Sequence, residues 1–247
     1  MKNHELLCIA SLLMGVSISP VINATTYSGN GNTGFGGAIG ASSLDITDDG
    51  TSLFFDLTRG SGNLNDVFVL YLDSTTGGLS NNTTITDISD SGRQAISGCS
   101  GGGCVDIDFG VHADYAIAFD VISGANLFSI NTDGSLGPLA SLGGSGTNPD
   151  PTTDLVYSFD LLLSDIGLPA FSGQSIGFVG TYINPAAPFL SNEGYGVGLP
   201  SSNPGSASVT FTGFEQYDTS VVPVPAAVWL FGSGLIGLIG IARRKKV

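Results

Sequence analysis

The chain has 247 residues, of which 21 are acidic, seven are Lys or Arg and two are His, giving a formal charge of −14 near neutral pH. An acidic surface repels phosphate backbones and argues against a nucleic-acid partner, while leaving room for cations and for neutral or cationic ligands. The plainer alternative is a surface that aspartate keeps soluble.

Taken in chain order, residues 1–24 read as a secretory signal peptide. Lys2 gives a thin basic start, an apolar run follows from Leu6 to Val16, and Ile22-Asn23-Ala24 offers a cleavage site ending in a small residue. Cys8 lies too early in that run for lipid attachment and reads as an ordinary apolar residue. Residues 25–220 then form one ectodomain, a size that all-β folds reach undivided. Within it Arg59 and Arg93 face twenty carboxylates, all the acidic residues but Glu5, so the domain carries −18. Its first stretch, Thr25 to Gly37, is glycine-rich and polar, which predicts a loose N-terminus; Gly143 to Pro151 predicts a mobile loop on the same grounds.

Strand signals separated by Gly, Asn, Asp and Ser turns fill the ectodomain. Ser43–Thr47 and Thr51–Thr58 flank Asp48-Asp49-Gly50, a hairpin turn. Asp66–Asp73 is nearly all apolar inside its aspartates, which predicts a buried central strand. Val105–Phe109 alternates, with Val105, Ile107 and Phe109 inward and Asp106 and Asp108 outward. Tyr115–Ile122, Asn126–Ile130, Leu155–Leu163, Ser175–Ile183 and Ser206–Phe214 complete the set. Helical pattern is confined to a turn or two around Ile88–Ile96. About ten strands with glycine-rich turns predict an all-β fold, a two-sheet β-sandwich.

The ectodomain keeps two of the three cysteines, Cys99 and Cys104, around Ser100-Gly101-Gly102-Gly103. In an oxidising compartment such a pair predicts a small-loop disulfide. Zinc would need further ligands, and His112 is the one histidine in the domain.

Catalytic signals are sparse. No P-loop occurs, and nothing marks one pair of acids for glycoside hydrolysis, so the expectation is a non-enzymatic protein without an organic cofactor. Calcium is the cation weighed. Asp45, Asp48 and Asp49 gather at one hairpin, and Asp106 and Asp108 share a strand face, although turn aspartates also cap their own backbone without any metal. A glycan site would need exposed aromatics beside hydrogen-bonding groups. Tyr182, Phe189 and Tyr195, near Asn184, Asn192 and Glu193, are candidates for it, against the alternative that this segment packs over the sandwich edge.

The tail, residues 221–247, has three parts. Pro223, Val224 and Pro225 interrupt regular structure. Seventeen uncharged residues, 226–242, follow; as a helix they span about 25 Å, near the lower limit for a bilayer core. Trp229 falls near the outer interface, and Gly232, Gly234, Gly237 and Gly240 give a small-residue face for helix association. Arg243, Arg244, Lys245 and Lys246 then keep the end cytoplasmic and the ectodomain outside.

This arrangement, including the run from Pro225 to Leu235, resembles the PEP-CTERM sorting tail of Gram-negative bacteria. The resemblance implies recognition by a membrane protease-transpeptidase, an exosortase, with cutting near the proline motif. It further implies delivery from the inner membrane to the cell surface or an exopolysaccharide matrix. The usual Pro-Glu-Pro is Pro223-Val224-Pro225 here and lacks the carboxylate. The alternative is a plain C-terminal membrane anchor. In the ectodomain, Asn65–Leu72, Gly92–Gly98, Ala113–Ala118 and Leu163–Leu168 resemble secreted bacterial β-sandwich domains that are lectin-like or related to carbohydrate-binding modules. That resemblance implies exopolysaccharide or other glycans as partners.

Overall fold

The computed structural model describes residues 23–143 and 150–221, within one compact unit spanning Val21–Val221. Strands run from β1 (Ala24–Ser28) through β2 (Ser43–Asp48), β3 (Ser52–Thr58), β4 (Val67–Asp73) and β5 (Leu79–Asn81) to a short helix, α1 (Ser91–Ser97). Next come β6 (Cys99–Ser100), β7 (Gly103–Cys104), β8 (Ile107–Ala113), β9 (Tyr115–Asp120), β10 (Gly124–Ile130) and β11 (Leu136–Gly143). β12 (Val156–Leu162), a 3-10 turn over Leu163–Ile166, β13 (Ser175–Asn184), β14 (Phe189–Tyr195), β15 (Val209–Thr210) and β16 (Glu215–Asp218) complete the order.

The fold is all-β, as expected, and antiparallel in its main sheets. One has the order β1-β2-β3-β12; the other has β11-β10-β9-β4-β13-β14, with β16 also paired to β13. Side-chain alternation sorts the faces. In β3, Leu53, Phe55 and Leu57 point inward while Phe54 and Asp56 stay outside, and β12 buries Tyr157, Phe159 and Leu161 in the same rhythm. These side chains meet Phe68, Leu70, Leu72, Ile117, Phe119 and Phe178 of the larger sheet in one core. Phe55 stacks on Phe159 at 5.0 Å between ring centroids.

The run predicted to be a central strand is β4, buried on both faces from Val67 to Leu72. With no polar residue in alternation it must be covered twice. Its second face, Val67, Val69 and Tyr71, packs under Ala95 and Ile96 of α1 and Ile107, Phe109 and Val111 of β8. A third layer, made of α1 and the small sheet β15-β8-β5, therefore lies on the sandwich. Tyr71 stacks on Phe109 at 4.1 Å and donates its hydroxyl to the Ile96 carbonyl at 2.9 Å. The short helix anticipated near Ile88–Ile96 forms because Asp90 caps it, accepting the Arg93 amide at 2.8 Å, and Gly98, at φ 66°, closes it.

The N-terminal stretch is not loose. Tyr27 of β1 is buried, and the glycine-rich loop after it folds back against β14. Of the predicted mobile loop, residues 144–149 lie outside the described residues. The described ends meet at one pole: Asn23 N donates to Ser220 Oγ at 3.2 Å, and the Tyr217 hydroxyl donates to the Asn23 carbonyl at 3.0 Å. β1 thus begins one residue before the mature N-terminus expected from the sequence. β9 runs away from that pole, so its turn at 121–123 belongs to the opposite one, with the segment leading into β4.

Candidate functional site

The sorting motif Pro223-Val224-Pro225, the anchor 226–242 with Trp229 and its glycines, and the basic end 243–246 all lie outside the described residues. Among the described residues no helix is long and apolar enough to cross a membrane. Cys99 and Cys104 are joined as a disulfide across the β6–β7 hairpin, with their Cα atoms 4.1 Å apart.

The five candidate aspartates are not brought together. Asp48 is buried, and its carboxylate accepts the Tyr217 hydroxyl at 2.6 Å, the Gly50 amide at 2.8 Å and the Ser220 amide at 3.1 Å. Asp49 caps the turn, accepting from the Thr51 and Ser52 amides, both at 2.8 Å. Asp45 accepts from the Thr26 hydroxyl, Asp106 from the Ser208 hydroxyl at 3.4 Å and Asp108 from the Gly110 amide at 3.2 Å. Their lone pairs serve hydroxyl and amide donors. Among the described residues no group of three His, Cys, Asp or Glu is placed to hold a metal. His112 is exposed on β8, and its amide donates to Asp73 at 3.2 Å.

The aromatic segment considered for glycans is a clasp instead. Tyr182 and Tyr195 are fully buried; the Tyr182 hydroxyl accepts the Asn65 and Asp66 amides at 2.9 and 3.1 Å, and that of Tyr195 bonds Ser42 at 2.5 Å. Burial pushes both phenols above their usual range. Glu193, also fully buried, accepts four backbone amides: Phe35 (2.5 Å) and Gly37 (3.0 Å) on Oε1, Ile39 (2.9 Å) and Gly40 (3.1 Å) on Oε2. The loop can lie this close because Gly40 has no side chain; a Cβ there would be 1.9 Å from the Asn32 carbonyl oxygen. Phe189 alone of the three aromatics stays partly exposed.

Sequence reasoning missed an open groove at the edge of the third layer. α1 covers β9 and β4 but stops short of β11, leaving a step of 420 Å³ between Asp90–Arg93 and Pro138–Ser141, with Phe128 in its floor. A smaller hollow of 190 Å³ continues it past Asn65, Asp66, Ile122 and Pro185. The two share Ser91, Asp120 and Ser123. The register of β10 against β11 shifts between Leu127 and Phe128, so Leu139 becomes the extra residue of a bulge and is turned outward. Asp120 accepts the Ile122 and Ser123 amides at 2.7 and 2.6 Å, which fixes the turn and leaves Ile122 at its tip 88 % exposed.

The groove's charge is negative in sum. Arg93 is answered by Asp87, at 3.0 Å from Nε, and by Asp90, and its guanidinium lies 4.8 Å over the Phe128 ring. Among the described residues no hydrogen bond engages the Asp66 carboxylate, and partial burial raises its pKa. Such a surface offers hydroxyl and amide groups, carboxylate acceptors and two apolar contacts, a set suited to holding a polar, uncharged ligand. No family model, curated protein or solved structure matches the chain.

Proposed function

We propose that the chain is an exported, non-enzymatic protein of the bacterial envelope or extracellular matrix, held in the inner membrane by its tail and processed there by an exosortase. The observation that carries this reading is the order of the last 27 residues: Pro-Val-Pro, seventeen uncharged positions, then four adjacent cations. The Cys99–Cys104 disulfide supports export, since such bonds persist in oxidising compartments. The meeting of Asn23 and Ser220 at one pole suits a domain carried on a C-terminal stalk. A second reading, a lectin-like or carbohydrate-binding module at the cell surface, is favoured by the open groove at the other end.

The intact mass of the protein from envelope and medium fractions of its host tests the first reading. A product ending near Pro225 is expected. Recovery only of chains ending at Val247 in the inner membrane would leave a plain anchor and refute sorting.

A further inference from the structure

We infer that the groove between α1 and the β9–β10–β11 corner binds a neutral oligosaccharide chain along its length. The inference rests on the carbohydrate-binding reading and gives it a location. Shape is the first argument. Hollows of 420 and 190 Å³ joined at Ser91, Asp120 and Ser123 make a trough open along one side. A small molecule is usually enclosed by its pocket; an open trough accommodates a segment that continues at both ends.

Hydrogen-bond chemistry is the second argument. Sugar hydroxyls donate readily, and carboxylates are the strongest acceptors a side chain offers. Asp120 spends Oδ1 on its own turn, and no described residue engages Oδ2. The Asp66 carboxylate is partly withdrawn from water with no described donor, a cost that incoming hydroxyl groups would offset. Ser91 and Ser123 add hydroxyls that both donate and accept.

The apolar contacts are the third. Single exposed aliphatic side chains need no explanation by themselves. Here Ile122 and Leu139, 88 % and 48 % exposed, both line the trough, and both are put there by backbone devices: a carboxylate-capped turn and an edge bulge. They would meet the C–H faces of pyranose rings. Charge then selects among glycans. Asp66, Asp90 and Asp120 line the trough and Arg93 is already paired, so chains of uronic acids are repelled and neutral ones are not. The trough lies at the pole away from Asn23 and Val221.

The test is calorimetric titration of the full-length chain in a non-glycosidic detergent with neutral gluco-, galacto-, manno- and xylo-oligosaccharides of four to six units, and with matched oligouronides. One neutral series should bind, and Ile122→Ala, Leu139→Ala and Asp66→Ala should each weaken it about tenfold. The first two side chains are exposed and the third is a charge without a partner among the described residues, so the variants should melt no lower than the wild type does. Wild-type binding indifferent to all three substitutions would overturn the groove while leaving a carbohydrate-binding protein. Absence of binding to every series would overturn both. Preference for oligouronides, or release of new reducing ends from the bound chain, would replace neutral-glycan binding with another activity.

Discussion

Glu193 and Asp48 solve the same problem at opposite ends of the domain: each is a buried carboxylate that collects donors from chain segments distant in sequence. Glu193 gathers four amides of the loop after β1, and three of them, at Gly37, Ile39 and Gly40, would be left buried without a partner if it were truncated. Glu193→Ala should therefore cost at least about 1–3 kcal/mol, the range for leaving a buried donor unsatisfied. Glu193→Gln should fall between, because its NH₂ group turns donors toward donors. Urea unfolding checks this, with a lowered midpoint and unchanged slope, together with faster amide exchange at Gly37 and Ile39. Glu193→Ala as stable as wild type would mean that water serves the loop equally well. None of this was legible in the sequence. A glycine-rich polar stretch reads as loose because local residues offer its amides nothing, and the acceptor that orders it stands over 150 residues away. Asp48 was singled out, but as a metal ligand; its oxygens are taken by Tyr217 and Ser220, about 170 residues on.

Elements were legible where pattern and pairing agree. β4 announced itself by an unbroken apolar run, β3 and β12 by alternation, and the turn between β2 and β3 by Asp-Asp-Gly. β14 carries no strand pattern because Asn192, Glu193 and Gly194 are polar or small yet buried, and their burial depends on the clasp. β11 was missed because Gly137, Pro138 and two register shifts break its alternation, all at the sheet edge where proline and bulges are tolerated. The groove was hidden for the same reason, since it is bounded by that irregular strand. The closing strand expected over Ser206–Phe214 shrinks to β15, with β16 taking over the pairing to β13. The small-loop disulfide expected from the cysteine spacing spans the β6–β7 hairpin, and it should contribute little. Buried Asn82 already clamps the hairpin base, donating to the Ser97 and Val105 carbonyls at 2.8 and 2.9 Å and accepting the Ile107 amide at 2.7 Å. A loop closed over a separation of five residues limits the entropic gain to about 2 kcal/mol. Cys99→Ser with Cys104→Ser should lose no more than that and keep a single cooperative transition, whereas Asn82→Ala should lose more. The reverse order would make the disulfide, not Asn82, the clamp.

At the scale of the whole molecule, charge should govern stability. Two cations against twenty carboxylates make the folded domain repel itself near neutral pH. Two classes of aspartate then pull in opposite directions. Burial raises the pKa of Asp66 and Asp73, so for these the folded state binds protons more tightly than the unfolded chain; stability is gained as pH falls toward the ordinary carboxylate range. Hydrogen bonds from Thr51, Ser135, Thr152 and Ser175 hold Asp49, Asp133, Asp150 and Asp218 below that range. Their contribution is present above the unfolded pKa, about 3.9, and is lost as pH drops through the lower folded values. The melting temperature should therefore rise from pH 7 to a maximum near about pH 4–5 and fall below it. Salt separates the two effects. At pH 7, going from about 20 to about 500 mM NaCl shortens the screening length severalfold and should raise the melting temperature. Near the pH maximum, where half or more of the repulsion is already titrated away, the same addition should do much less. A melting temperature that ignores salt at pH 7 would mean that the carboxylates are spread too widely to repel. The pH profile would then be set by Asp66, Asp73 and the capped turns alone.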